Sequence, residues 1–403
     1  MDSFTVARNC TVDRANRLNK LVTNIIVKDL RPISFVDGSA FRELMDFVEP
    51  GYNMPHRTYF TGQIQQLYSS LKDKLSQQMQ SAQAVALTSD IWTSPTNESY
   101  LSTTAHFIDN YWNLQRRVLA CLPVDGRHTA DNICTWLQET VEDFHLESNK
   151  IVALVHDNGS NIVAAAQKLE EIFGSQFSSV RCTAHTLQLV IHAALHCNDV
   201  IKDAVTAARH VVEYFKRSEL ATSSLHKIQT QMSLPEHQLV MEVSTRWNST
   251  LYMIERLVEQ RWPVSLVIQQ RKSDSKNPKS SLTDDQWDVL SHLIRLLKPF
   301  EVATEFVSGD EYVTASAVPS LISGLCEKME QNDDDPSYVK EFKTVALKQL
   351  HDRWPLCVSD MTRHNRRMCN VILKSSAVDP QYKMRNIDLM VKHMIQGMIM
   401  KSH

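Results

Sequence analysis

The feature that most constrains this chain is a change of apolar period between residues 84 and 197. Ala84-Val85-Ala86-Leu87-Thr88 is a compact apolar run that ends in Ser89-Asp90. Tyr100 to Ile108 places Leu101, Thr103, Ala105 and Phe107 on one face, and a third β-rich segment runs from Leu114 to Val124. Three such segments joined by short turns read as antiparallel strands. Residues 129–144 then take helical spacing, with Ile133, Trp136, Leu137 and Val141 on one side. Ile151-Val152-Ala153-Leu154-Val155 is apolar throughout, the mark of a strand buried on both faces, and it ends in His156-Asp157-Asn158-Gly159. A helical run from Ile162 to Ile172, a short strand at Val180-Arg181-Cys182 and a helix from about Ala184 to Leu195 complete the block.

The order is three strands, helix, strand, helix, strand, helix. It predicts an α/β fold whose mixed sheet is antiparallel in its early part, the order of a ribonuclease H-like sheet. Residues 1–83 read as mostly helical, with amphipathic runs at Phe41 to Val48 and about Thr61 to Gln80. From 198 to about 370 strand patterns disappear. Helical spacing covers roughly 200–230, 249–270, 284–307, 315–330 and 337–354, with polar connections at 271–279 and 331–336. This block reads as an all-helical unit.

A chain of 403 residues, 43% hydrophobic, can bury a sizeable core and more than one domain. Its formal charge of −3 excludes a uniformly basic nucleic-acid binder. Basic surface must be local, and Arg363, Arg366, Arg367, Lys374, Lys383 and Arg385 are its best location, unless they form only a solvated face. Arg8 and neighbouring polar residues interrupt the start, so no signal peptide is expected. No apolar stretch reaches the length of a membrane span. The eight cysteines include no CxxC pair, which suggests reduced thiols and no zinc site.

Asp90 and Asp157 each follow an apolar strand run, and ligand sites of α/β sheets gather at strand ends. If the first and fourth strands are neighbours, the two carboxylates approach each other. Their oxygens would suit Mg²⁺ or Mn²⁺, and paired ions activate a nucleophile and stabilise the leaving oxygen of a phosphodiester. The competing reading is that they cap turns or helices, because Asp-Asn-Gly is a turn signal and Ser160-Asn161 can start a helix.

Cys182 and His185 stand three residues apart at a strand-to-helix junction. Two residues do not complete a zinc site, so a structural role or a local hydrogen bond is expected, with a phosphate contact through His185 as the alternative. His156 is expected on the far side of the sheet, in packing. Arg246-Trp247 pairs a cation with an aromatic ring, which can clamp an unpaired base or simply pack. The same two readings apply to Trp92.

These residues resemble a known family. Leu87-Thr88-Ser89-Asp90-Ile91-Trp92-Thr93-Ser94 is similar to the first catalytic motif of hAT transposases, and His156-Asp157-Asn158-Gly159-Ser160-Asn161 to the second. Arg181-Cys182-Thr183-Ala184-His185-Thr186-Leu187-Gln188-Leu189 resembles the cysteine/histidine motif, and Ser244-Thr245-Arg246-Trp247-Asn248-Ser249-Thr250 the tryptophan motif of the helical insertion. Leu297-Lys298-Pro299-Phe300-Glu301 and Ala377-Val378-Asp379-Pro380-Gln381-Tyr382-Lys383 resemble later landmarks. The resemblance runs from about residue 20 to 385 and extends to the domesticated BED zinc-finger proteins of animals.

The resemblance implies a ribonuclease H-like core interrupted by a large helical insertion. The expected division is 1–83 helical, 84–197 core, 198–370 insertion, and 371–403 a truncated return to the core. It gives Asp90 and Asp157 the roles of catalytic aspartates and metal ligands, and Trp247 that of stabilising a flipped base. Arg246 and His185 join Trp247 as candidate DNA contacts, and Cys182 and His185 occupy the cysteine/histidine positions. No stretch matches the family's zinc finger, its third carboxylate or its dimerisation segment. Glu301 and Glu305 belong to the insertion and are not offered as that carboxylate. The expectation is therefore a nuclear, DNA-binding transcriptional regulator, catalytically incomplete, needing no cofactor. DNA is the expected partner, protein partners are open, and a monomer or weak dimer is expected. Two alternatives stand: an active transposase when full length, and a protein scaffold without DNA contact.

Overall fold

The computed structural model describes residues 10–243, 245–272, 281–309, 311–355 and 363–382, without the side chains of 271–272 and 363–370. Most of the expected basic tail, namely the side chains of Arg363, Arg366 and Arg367 together with Lys383 and Arg385, lies outside the described residues, as does the helix-like stretch 387–400. Lys374 is exposed.

Strands form at all five expected runs: β1 (Val85–Thr93), β2 (Ser99–Ile108), β3 (Leu114–Pro123), β4 (Ile151–His156) and β5 (Ser178–Arg181), the last beginning two residues earlier than expected and ending before Cys182. They make one five-stranded sheet in the order β3-β2-β1-β4-β5. Short turns join β1, β2 and β3, closed by Ser94 N–H to Glu98 O at 2.7 Å and Asp109 N–H to Asn113 O at 3.0 Å. Beyond them β4 and β5 run parallel, with Ala153 opposite Ser178 and His156 opposite Arg181. This is the mixed α/β sheet expected. On β2, Leu101, Thr103, Ala105 and Phe107 are all buried, as their alternation requires.

The first strand also differs from the sequence reading. Asp90 does not follow β1 but lies inside it, three residues before its end. The apolar run stops at Leu87, yet backbone pairing does not require apolar side chains, so the strand continues through Thr93. Alternation along the pleat buries Ser89 and exposes Asp90.

The chain divides into two compact units. One comprises residues 1–85, 103–121 and 135–151. Here α1 (Val12–Lys28), α2 (Ser39–Val48) and α3 (Arg57–Ser81) precede the sheet. Val22, Ile26, Val36, Tyr52, Met54 and Phe60 form their shared core. Tyr52 donates to Asn19 Oδ1 at 2.6 Å, and burial raises its phenol to about 12.

After β3 comes α4 (Ala130–Asp143), with Ile133, Leu137 and Val141 buried. The second unit comprises residues 86–102, 122–134 and 152–403. In it α5 (Ser160–Phe173) follows β4, and α6 (Thr183–Leu195) follows β5. The helical pattern at 200–230 resolves into α7 (Asp199–Arg217) and α8 (Glu219–Gln231), broken where Ser218 caps α8 by accepting from Ala221 N–H. The next pattern splits into α9 (Trp247–Glu259) and α10 (Arg261–Lys272). Then follow α11 (Asp284–Val307), α12 (Val318–Lys328), α13 (Ser337–Arg353) and α14 (Arg363–Val378). Thr283 and Gln286 start α11 with reciprocal bonds, which satisfy two of the donors a helix start leaves open.

One apolar cluster runs from Leu187 on α6 through α7, α9, α11 and α13 to Leu373 on α14. Within it α6 packs on α13, and α11 packs on α6, α7 and α9. Helix α14 lies against β5 and α12, so the chain after the helical block comes back to the sheet's last strand. Asp379, just past α14, accepts from Ser316 Oγ at 2.6 Å and from Gln381 N–H at 2.9 Å, which holds its carboxyl below the usual range.

Candidate functional site

The strand order makes β1 and β4 neighbours, so Asp90 lies on one of two adjoining strands and Asp157 just past the end of the other. Asp157 follows the last residue of β4 and is half-buried, whereas Asp90 is exposed. Each commits one oxygen locally. Asp90 Oδ1 accepts from Ile91 N–H at 2.9 Å, and Asp157 Oδ1 accepts from Gly159 N–H at 2.9 Å. The second bond is an Asx-type turn, which delivers the chain into α5 with Gly159 as its N-cap. A Cβ on Gly159 would meet Asp157 Oδ1 at 3.1 Å, so the turn needs a small residue there. Asp157 therefore does what the turn reading expects, and its second oxygen is left over. Neither Ser160 nor Asn161 caps α5.

The fit of a divalent cation follows from these donors. Asp90 and Asp157 would hold it, and their oxygens are of the right hardness. Among the described residues, however, no group of three His, Cys, Asp or Glu side chains gathers where it could hold a metal ion. Two half-committed carboxylates are an incomplete shell, so they do not by themselves fit a closed site. No cleavage step is derived through a metal.

Behind the two acids the sheet is bolted to α6. His156 is 1% exposed; its Nε2 lies 2.8 Å from Ser179 Oγ on β5, and its Nδ1 lies 2.6 Å from the Asp157 carbonyl. Cys182 N–H donates to His156 O at 2.6 Å, and Cys182 then serves as the N-cap position of α6 without a side-chain bond. Cys182 and His185 are half-buried, and Cys182 is a free thiol. Asn158 Nδ2 donates to Thr186 Oγ1 at 2.9 Å, which in turn donates to Cys182 O at 2.8 Å. Sequence reading missed this link. Its one signal is a threonine in the first turn of α6, facing a loop asparagine that must be satisfied when buried.

The Arg246-Trp247 pair sits apart from the two acids in chain position, at the start of α9. Arg246 is exposed and occupies the N-cap position. Trp247 is only 6% exposed and belongs to the helical core, and its indole Nε1 is buried without a partner. Stacking on a base requires an uncovered ring face, so in this conformation Trp247 packs and Arg246 alone is presented. The loop ahead of them is tied down by Gln188 Nε2 to Thr245 O at 3.0 Å and by the nearly buried Glu242. That carboxylate accepts from Arg209 Nε at 2.6 Å and Thr250 Oγ1 at 2.7 Å. Beside it is a cavity of about 280 Å³, lined in part by His192, His196, Lys202 and Trp247. Trp92 is 39% exposed and stacks on Tyr100 at 5.7 Å, a packing role within the β1–β2 hairpin. Glu301 is 6% exposed and paired with Lys298 at 2.6 Å, so it is a structural ion pair.

Comparison with known proteins agrees with this geometry. The ZBED1 RNase-like domain model matches residues 88–183, and the ZBED1 RNase-like helical domain model matches residues 180–296. Zinc finger BED domain-containing protein 6 of Mus musculus is 30% identical over 315 residues, covering 74% of this chain and 31% of that protein. Zinc finger BED domain-containing protein 4 of Homo sapiens is 28% identical over 328 residues, covering 78% of this chain and 27% of that protein. A putative AC transposase of Zea mays is 28% identical over 395 residues, covering 94% of this chain and 46% of that protein. The chain thus spans about a quarter to a half of the length of these relatives. No described helix is long and apolar enough to cross a membrane.

Proposed function

Because this chain is hAT-transposase-like and related to the BED zinc-finger proteins, we propose that it serves a nuclear, DNA-associated regulator that no longer cuts DNA. The observation that carries this reading is the unbroken run from residue 88 to 296, in which sheet and helical block together match the ZBED1 models. A further relative, from Talaromyces stipitatus, is named a putative transcriptional regulator. On this reading Asp90 and Asp157 serve the fold. Asp157 shapes the turn into α5, and each carboxylate has one oxygen engaged by its own backbone. DNA is held through phosphates by exposed cations such as Arg246, a sequence-independent mode that salt weakens.

A second reading keeps the cleavage chemistry, and the match to the Zea mays transposase over 94% of the chain favours it. One pair of experiments separates the two. Filter binding of duplex DNA over a salt series should show affinity that falls linearly in a log–log plot; no affinity at low salt rejects the DNA-binding reading and leaves a protein scaffold. Incubation with Mn²⁺ and a labelled hairpin substrate should leave the DNA intact. Cleavage that disappears in both Asp90→Ala and Asp157→Ala would establish the transposase reading instead.

A further inference from the structure

The turn between β2 and β3 displays two aromatic rings in water. Tyr111 is 86% exposed and Trp112 is 87% exposed. Asn110, Tyr111 and Trp112 form a three-residue loop, closed by Trp112 N–H to Asp109 O at 3.0 Å. Trp112 takes the left-handed conformation at φ 64°, where glycine is usual and a bulky side chain is strained. The backbone around it is tied all the same. Asp109 Oδ1 accepts from the N–H groups of Tyr111 and Asn113, each at 2.9 Å, and Asp109 Oδ2 accepts from Gln115 Nε2 at 2.7 Å.

A lone exposed apolar residue is ordinary. Here two adjacent rings stand on a turn that its own carboxylate braces, and one of them is held in a conformation its side chain disfavours. Strain of this kind persists where the surroundings enforce it, and it marks a place to look for function. The charge of the hairpin indicates what the rings meet. Residues 103–121 contain one acid, Asp109, against Arg116 and Arg117. That acid has both oxygens engaged within the turn, while Arg116 on β3 is exposed. Flat rings beside a cation complement a polyanion with uncovered flat groups. Single-stranded nucleic acid is such a partner, because every base offers a ring face and the backbone answers the cation. In a duplex the neighbouring bases cover those faces.

We propose that Tyr111, Trp112 and Arg116 form a contact for single-stranded DNA, in which the two rings stack on unpaired bases and Arg116 meets the adjoining backbone. This contact rests on the DNA-binding reading and adds to it a preference for unpaired strand at the β2–β3 turn.

The test uses the full chain as wild type, Tyr111→Ala, Trp112→Phe, Trp112→Gly and Arg116→Ala, with an oligothymidylate and a mixed-sequence duplex in filter binding over a salt series. Trp112→Gly should leave Tm unchanged or higher, because glycine accepts φ 64° without strain, and yet weaken single-strand binding about tenfold. Tyr111→Ala should weaken it to a similar extent, and Trp112→Phe should retain most of it. Arg116→Ala should reduce the single-strand salt slope by about 0.7, the value for one lost phosphate contact. Duplex affinity should stay the same in the three ring variants. Wild-type single-strand affinity in both Tyr111→Ala and Trp112→Gly overturns the contact, and so do equal losses on single strand and duplex; duplex binding by the wild type then leaves the DNA-binding reading standing. A wild type that binds neither form of DNA overturns both.

Discussion

Asn158 and Thr186 are joined by a 2.9 Å hydrogen bond that ties the loop after β4 to the first turn of α6. Asn158 Oδ1 is already buried without a partner, so this donor bond is what keeps the side chain from being wholly orphaned. Thr186→Val preserves shape and removes the acceptor. It should destabilise the protein by about 1–3 kcal/mol, the cost of an unmet buried amide, whereas Thr186→Ser should cost much less. Chemical denaturation of both variants checks the order; equal losses would mean that the methyl group, not the hydroxyl, matters.

Trp247 is packed rather than presented, which makes a stability prediction that the base-clamp role alone does not. Trp247→Ala should cost about 3–5 kcal/mol, as for other large aromatic truncations in a core. Arg246→Ala, one residue earlier and exposed, should change stability by no more than about 0.5 kcal/mol. Paired urea melts decide this. A fully stable Trp247→Ala variant would show that the ring is not part of the core.

Lys343 is 6% exposed, donates to Glu330 O at 2.9 Å and pairs with Asp335 at 2.6 Å, which holds the Asp335 carboxyl below the usual range. Asp335→Ala strands a buried ammonium and should cost about 3–5 kcal/mol. The double change Asp335→Ala with Lys343→Met should recover most of that loss, because the desolvated charge is then gone. A double-mutant cycle in denaturant measures the coupling.

His292 donates to or accepts from Tyr338 Oη at 2.7 Å, and burial, followed by the charge of Arg295, lowers its pKa. A histidine held neutral in the fold binds fewer protons than in the unfolded chain. Its contribution is therefore complete above the ordinary value near 6.5 and is lost as pH falls from there through the lowered folded value. Stability measured from pH 7.5 downward should decline in that window, and the decline should be shallower in His292→Gln. A parallel pair of curves would remove His292 as a cause.

Local pattern carried far in this protein because strands and helices are periodic and their periods are written in side-chain polarity. The alternation of Leu101, Thr103, Ala105 and Phe107 specified a half-buried strand, and the unbroken run 151–155 specified a strand covered on both faces. The motifs around Asp90, Asp157, Cys182 and Trp247 were legible because each is a short contiguous string, three of them at an element end and that of Asp90 within β1. Polarity was a poor guide to where β1 stops, since backbone pairing continues past the last apolar residue and places Asp90 inside the strand.

What the sequence by itself determined was thus the order of elements, the face each strand buries and the residues worth suspecting. Only the tertiary structure decided that β1 lies beside β4, that Trp247 turns its ring into the core while Arg246 stays in water, and that Asn158 meets Thr186. The reason is physical: those facts depend on contacts between residues far apart in the chain. Trp247 joins a core whose members run from Leu187 to Leu373, and no local period records how packing brings such distant residues together.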